Sequence, residues 1–153
     1  MDDRQFRNAM GKFATGVTVV ATEVDGDVHG MTANAFMSVS LNPKLVVISV
    51  AEKARILEKI KKSKMFSVNI LSADQQELSM IFAGQLKEHR EVVFDYLDGK
   101  PVLAGAVAQI ACEVSAEHIE GDHTLLIGKV TAIHIGDAEP LIYFSGRYRE
   151  LAE

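Results

Sequence analysis

Val17-Thr18-Val19-Val20-Ala21-Thr22-Glu23-Val24, the turn Asp25-Gly26-Asp27 and the run His29-Gly30-Met31-Thr32-Ala33-Asn34-Ala35-Phe36-Met37-Ser38-Val39-Ser40-Leu41-Asn42-Pro43 decide the fold of this chain. The first segment is β-branched and Asp-Gly is a hairpin signal. The long run is therefore the returning strand followed by a loop that ends on an Asn-Pro breaker. Within it Thr32, Asn34, Ser38 and Ser40 offer short neutral hydrogen-bonding groups, while Ala33 and Ala35 let a planar group approach the backbone. A flat ligand with a polar edge needs such a lining. A barrel strand turning its Thr/Ser face to water has the same composition, and local chemistry alone favours that plainer reading.

Outward from this hairpin, Phe6, Met10 and Phe13 recur at helical spacing, predicting a helix over residues 3–14 capped by Asp2 or Asp3 and closed by Gly16. Leu45–Val50 is a continuous apolar strand. Residues 52–62 form a basic helix with Ile56, Leu57 and Ile60 inward. Lys53 and Arg55 stand where strand passes to helix, a place suited either to holding a phosphate or to keeping the helix soluble. Residues 65–71 alternate, with Phe66, Val68 and Ile70 expected inward and Ser67 and Asn69 outward. Ser72–Glu77 starts a helix carrying Leu78, Ile81 and Phe82 to a stop at Gly84. Residues 85–104 read as a surface excursion anchored by Val92, Val93, Phe94 and Leu97. Residues 110–117, 123–133 and 140–144 are further strands, with a bulge or bend at Gly128. Six or so strands with interposed helices, and no βαβ alternation, predict an antiparallel barrel with helices outside. Leu125 and Ile127 oppose Leu126 and Val130, so both faces of that strand are apolar. One face needs cover from helices or a second subunit, and a homodimer is expected.

The 153 residues suffice for a single domain, 1–153, with a real core. A net charge of −5 argues against nucleic-acid binding, which needs a basic face. No apolar run approaches the ~20 residues of a membrane helix. Met1-Asp2-Asp3-Arg4 is unlike a signal peptide, and the lone Cys112 rules out an internal disulfide, so a cytoplasmic location is expected. Cys112 reads as a buried hydrophobe rather than a thiol nucleophile. His29, His89, His118, His123 and His134 lack metal-site spacing, so no metal is expected; dinucleotide, Walker and nucleophile-elbow motifs are missing too. On the residues alone His123, after Gly121-Asp122, is equally a turn histidine bonding its own hairpin and a group that meets a ligand.

Blocks spanning nearly the whole chain resemble one family: Phe13–Val20, His29–Pro43, Ser67–Leu71, Phe82-Ala83-Gly84, Gly121–Thr124 and Tyr143–Tyr148. The family is the short flavin reductases that serve two-component flavin-dependent aromatic hydroxylases. Met1-Asp2-Asp3-Arg4 and Glu52-Lys53-Ala54 are similar to the reductase component of bacterial phenol hydroxylase in particular. The resemblance implies a mainly β fold with peripheral helices, a six-stranded antiparallel split β-barrel, dimeric, with flavin near the subunit interface. It implies NADH as reductant, FAD (or FMN) as acceptor, and a separate monooxygenase that receives reduced flavin. Some such reductases hold one flavin permanently and reduce a second. A flavin-binding carrier or sensor without turnover is the alternative.

Carried over residue by residue, the resemblance implies that Thr32, Ala33, Asn34, Ala35, Phe36, Met37 and Ser38 line the isoalloxazine and ribityl chain. Ser49 and Val50 would lie alongside, Lys53, Ala54 and Arg55 would meet phosphate, and Phe82 and Ala83 would flank the flavin. On the nicotinamide side it implies Lys12, Phe13, Ala14, Thr15, Gly146, Arg147 and Tyr148, with His123 as the catalytic candidate.

Overall fold

The computed structural model describes residues 1–86 and 91–152. Along the chain run α1 (Asp3–Gly11), β1 (Thr15–Gly16), β2 (Thr18–Val24), β3 (Asp27–Ala33), β4 (Phe36–Leu41), β5 (Lys44–Ala51), α2 (Arg55–Ser63) and β6 (Met65–Ile70). A 3₁₀ turn (Ala73–Gln75) leads into α3 (Gln76–Phe82). After it come β7 (Asp95–Leu97), β8 (Lys100–Val102), β9 (Ala108–Glu120), β10 (His123–Ile135), β11 (Ile142–Phe144) and β12 (Arg147–Arg149). Among the described residues no helix is long and apolar enough to cross a membrane.

Seven strands form one antiparallel sheet in the order β3-β2-β6-β9-β10-β5-β4. Six were expected. The extra strand is β4, read from sequence as loop: Phe36, Met37 and Ser38 pair with Ile48, Val47 and Val46. Its open face carries Met37, Val39 and Leu41 into solvent, so burial could not mark it as a strand. β3 and β4 are the two edges of the sheet, yet only Asn34 and Ala35 separate them. Flat, the edges of seven strands would stand about 29 Å apart, whereas the three Cα steps from Ala33 to Phe36 reach at most about 11 Å. The sheet must curl until the end of β3 stands within about 11 Å of the start of β4.

α2 plugs the curl. Ile56, Leu57 and Ile60 are buried against Val20, Val46, Ile48, Phe66, Val68 and Leu126, each such side chain contributing about 1.5–3 kcal/mol. A second cluster, Val17, Val19, Leu71, Leu103 and Leu141, lies across β2. The alternate residues of β2 thus feed two cores, which is why Thr18 to Thr22 are all buried.

β6 departs from the expected alternation in the same way. Ser67 and Asn69 are fully buried rather than outward, because the β7–β8 hairpin and Leu103 cover that face. Both side chains are satisfied there. Ser67 Oγ donates to Pro101 O at 2.6 Å, and Asn69 Nδ2 donates to Val19 O at 3.0 Å. Asn69 Oδ1 accepts from Leu103 N at 2.9 Å. Part of the expected surface excursion is therefore core: Val102 and Leu103 are buried, and Lys100 is held by Asp98 at 3.1 Å. Residues 87–90 of that stretch, His89 among them, lie outside the described residues.

α1 is capped by Asp2, whose Oδ1 accepts from Gln5 N at 2.7 Å. It ends at Gly11, short of Phe13, and Gly16 belongs to β1 instead of closing the helix. The cause is capture of the chain by the C-terminal hairpin: Ser145 N donates to Gly11 O at 2.9 Å, and Thr15 and Gly16 pair with Tyr143 and Ile142. Phe6 and Met10, which recur at helical spacing, are about half exposed, and α1 has no buried residue.

Gly128 stands at a register shift in the β9–β10 ladder, as its sequence position suggested. A Cβ there would lie 2.5 Å from Phe66 Cζ and 2.9 Å from Cys112 Cβ, both inside the core. Gly128→Ala is expected to cost about 1–3 kcal/mol by overpacking, read as a fall of several degrees in the thermal midpoint.

Candidate functional site

The corner between β3 and β4 is pinned on both sides. Thr18 Oγ1 donates to Ala33 O at 2.7 Å and Ser49 N donates to Ala35 O at 3.1 Å. Asn34 and Ala35 are nevertheless exposed, so the pinned backbone presents its edge to whatever enters. Beside the corner lies a cavity of about 190 Å³ lined by Val17, Thr32, Ala33, Asn34, Ser79, Ala83, Gln85, Tyr143 and Tyr148. None of these side chains is charged. An outer cavity of about 680 Å³ adjoins it through the shared residues Asn34 and Tyr143, and its far wall is α1 with Lys12, Phe13, Ser145 and Gly146.

Hydroxyl contacts hold the walls of the inner cavity. Thr32 Oγ1 donates to Ser79 O at 2.6 Å, and the Ser79 hydroxyl lies 2.7 Å from Tyr148 Oη. Three elements (β3, α3 and β12) are joined through one fully buried serine. Tyr148 also meets Tyr143 edge-on at 5.3 Å. Thr15 Oγ1, on the strand paired with Tyr143, is buried with no partner. A buried hydroxyl left so is a feature that needs a cause.

The expected site residues fall into two groups. Thr32, Ala33, Asn34, Ala83 and Tyr148 line the inner cavity, and Lys12, Phe13, Asn34 and Gly146 the outer one. Ala14 and Thr15 run between them, and Arg147 is exposed on β12. The second group sits across the corner, where Ser49 touches Ala35 and leads through Val50 to Lys53, Ala54 and Arg55. His123 belongs to this group: it pairs with Ala51, and Glu52 N donates to Asp122 O at 2.9 Å. Its Nδ1 lies 2.8 Å from Asp122 Oδ1, and that bond holds the Asp122 carboxyl below its ordinary range. The imidazole thus bonds its own turn, is partly exposed and lines neither cavity.

Some residues sit away from the expected places. The Val50 side chain is fully buried in the core, so only its backbone can face a ligand. Phe36 packs against the same core. Met37 and Ser38 lie beyond the corner on β4. Phe82 does not line the inner cavity: its ring packs on Gly30, where a Cβ would come within 2.7 Å, and meets Phe94 edge-on at 5.9 Å. Ser79, Gln85, Val17 and Tyr143 are cavity residues that sequence reasoning missed. The available signal was a serine, Ser79, set among Leu78, Met80, Ile81 and Phe82. Cys112 is fully buried, and burial pushes its thiol up to about 12, which leaves it protonated and unreactive at neutral pH.

The N-cap of α2 is Ala54, which offers no side-chain hydrogen bond to the first-turn N–H groups, and the exposed Lys53 and Arg55 flank it. A neutral cavity and a cationic helix start, joined through Ala35 and Ser49, suit a ligand with a flat polar-edged head and an anionic tail.

The chain is similar to known proteins in sequence and in fold. The model of the flavin reductase like domain matches residues 10–152. An NADH-dependent flavin reductase from Rhodococcus sp is 44% identical over 148 residues, 95% of this chain and 84% of the relative. The reductase component of 4-hydroxyphenylacetate 3-monooxygenase from Thermus thermophilus is 38% identical over 147 residues, 95% of each chain. Among solved structures, flavin reductase PheA2 in its native state superposes with a TM-score of 0.99 at 63% identity, covering 100% of both chains. The NADH:FAD oxidoreductase SgcE6 of Streptomyces globisporus, solved with NAD and FAD fragments, gives 0.88 at 35% identity, covering 98% of this chain and 93% of that one.

The Ser79–Tyr148 contact is expected to contribute about 0.5–1.5 kcal/mol to stability. Ser79→Ala and Tyr148→Phe should each lose about that much in denaturant unfolding. The double variant should lose no more than the larger single loss, since both remove one interaction.

Proposed function

Because the chain belongs to the flavin reductase like domain family, we propose that it is an NADH-dependent flavin reductase. It transfers hydride from NADH to FAD, with FMN as the second acceptor, and supplies reduced flavin to a separate phenol-type aromatic monooxygenase. The observation that carries this reading is the uncharged inner cavity at the Ala33–Phe36 corner, joined through Ser49 to the cationic start of α2.

The residues fit a flavin. Thr32, Ala33 and Asn34, with Ala35 beside them at the corner, give an uncharged wall of small residues, and the unpartnered Thr15 hydroxyl supplies a further hydrogen-bonding group. Flavin and nicotinamide supply the redox chemistry when bound, and the chain supplies position and field. Asn34 and the pinned corner backbone orient a ring edge. Lys53 and Arg55, with the first-turn N–H groups of α2, hold the flavin phosphate. Lys12–Thr15 and Gly146–Tyr148 hold the reductant side and exclude water from the meeting point. His123 stands on the Lys53–Arg55 side of the corner and lines neither cavity, so its assignment to the reductant rests on the family resemblance. Its strand-end position and partial exposure leave the imidazole open to a ligand, with Asp122 setting the ring's orientation.

We read the curled sheet as the split barrel of this family and residues 1–153 as one domain acting in the cytoplasm. A homodimer is supported by apolar side chains left in solvent, among them Leu41 at 80%, Ile119 at 77% and Ile135 at 76% exposed. The covered surface would complete the site at the exposed corner.

Loss of NADH absorbance on adding protein with free FAD or FMN tests the activity. Rapid consumption is expected, and a yellow protein that never oxidises NADH would instead be an electron carrier. Arg55→Ala should weaken flavin binding about tenfold, the scale of one charge-assisted contact, in a fluorescence titration. His123→Ala should raise the KM for NADH several-fold with the flavin dissociation constant unmoved, and unchanged steady-state kinetics would remove its role.

A further inference from the structure

Positive charge is concentrated on one short segment. Residues 52–64 hold six cations and two carboxylates, a local net of +4 in a chain that totals −5. Burial of Ile56, Leu57 and Ile60 turns the opposite face of α2 to solvent. On that face Arg55, Lys59 and Lys62 follow at i, i+4 and i+7, forming one stripe along the helix. At 1.5 Å per residue, Lys59 stands about 6 Å and Lys62 about 10 Å beyond Arg55 along the axis. Ion pairing treats these charges unequally. Glu58 lies 3.8 Å from Lys61, Asp25 lies 3.5 Å from Lys62, and Glu117 lies 3.8 Å from Lys64. Among the described residues Lys53, Arg55 and Lys59 have no ion-pair partner. Like charges four residues apart weaken a helix slightly, so α2 gains nothing from placing Lys59 after Arg55. What the stripe supplies is a field outside the helix.

We propose that the stripe Arg55–Lys59–Lys62 is an electrostatic guide for the incoming flavin, drawing its phosphate end along α2 to the helix start and so setting the association rate. The inference rests on the reading of Lys53 and Arg55 as the phosphate end of a flavin site. Lys59 and Lys62 are the new elements, and they act from outside that site. The phosphate of FMN carries about −2 near neutral pH, and the diphosphate of FAD a similar charge. A chain of −5 repels such a molecule on average, and the uncharged inner cavity has no means of attracting it. A local cationic lane that ends at the corner reverses the repulsion along one approach. Charge remote from the bound position changes the on-rate and leaves the off-rate nearly unmoved. The lane is also sensitive to salt. At 0.01 M ionic strength a Debye length of about 30 Å covers all of it, whereas at 0.15 M the length is about 8 Å and falls short of Lys62. A reductase whose flavin leaves for a second protein must capture another in each cycle, so the rate of capture bears on turnover. Riboflavin has the same ring and no phosphate, and the stripe therefore selects phosphorylated flavins by rate.

Stopped-flow fluorescence on the whole protein, with FAD and with riboflavin at about 0.01 M salt, measures both rate constants. For the double variant Lys59→Glu, Lys62→Glu the association rate of FAD should fall about fivefold or more. The association rate of riboflavin and the dissociation rate of FAD should both stay within about twofold. The difference between variant and unsubstituted protein should shrink as salt rises to about 0.15 M. An opposite variant, Asp25→Asn with Glu58→Gln, removes the carboxylates paired with Lys62 and Lys61 and should speed FAD association about twofold. A gain of that kind cannot come from misfolding, and Asp25 lies at φ 52°, a conformation that asparagine also adopts. An unchanged FAD on-rate in both variants overturns the proposal. So does an equal fall for riboflavin, which would report a damaged site, or a change confined to dissociation, which would make Lys59 and Lys62 contacts of the bound phosphate. If the unsubstituted protein binds neither flavin, the flavin-site reading itself fails and takes this inference with it.

Discussion

A two-residue link between the opposite edges of a seven-stranded sheet is the constraint on which the molecule rests. Asn34 and Ala35 join β3 to β4, and a chain that short cannot cross a flat sheet. Curvature is therefore imposed covalently, and the interior it creates is filled by the three aliphatic residues of α2. The same link makes the site. Backbone forced to pass between two sheet edges is exposed and bonded by Thr18 and Ser49, so it offers a rigid polar rim without spending side-chain entropy.

Around that rim, polar groups fall into two environments with different consequences. Ser67 and Asn69 are sealed under the β7–β8 hairpin and each meets a backbone partner, so they lock the hairpin to β6 at little net cost. Ser79 and Thr32 are bonded too, but at the wall of a cavity, where their contacts set its width. Charge is distributed just as unevenly. The inner cavity has none, while cations stand at the start of α2 on one side and on α1 on the other. A neutral centre suits a planar ring, and charge at a distance suits an anionic tail.

The hairpin of β2 and β3, the inward face of α2, the bulge at Gly128 and the inert Cys112 were all legible in the residues. Each depends on local chemistry: a turn dipeptide, a helical period, an isolated glycine in a strand, a thiol without a basic neighbour. Several expectations failed, and all for one reason. β4 was missed because its outer side is uncovered. Ser67 and Asn69 were placed outward because the hairpin that covers them comes some thirty residues later. α1 was expected to run to residue 14 because the C-terminal hairpin that takes the chain at Gly11 lies far along the sequence.

The candidate site divides along the same line. Thr32, Ala33 and Asn34, with Lys53 and Arg55, were named from the sequence because short polar runs and a strand-to-helix junction are contiguous features. Ser79 and Tyr143 were not, since each gains its meaning from a neighbour far along the chain. Sequence by itself determined the elements, their apolar faces and the family to which the chain belongs, because those are carried by residues near one another. Only tertiary structure decided how the sheet curls, which polar residues are buried and which distant side chains share a cavity. Those are properties of a curled sheet, and a linear pattern carries no record of its curvature.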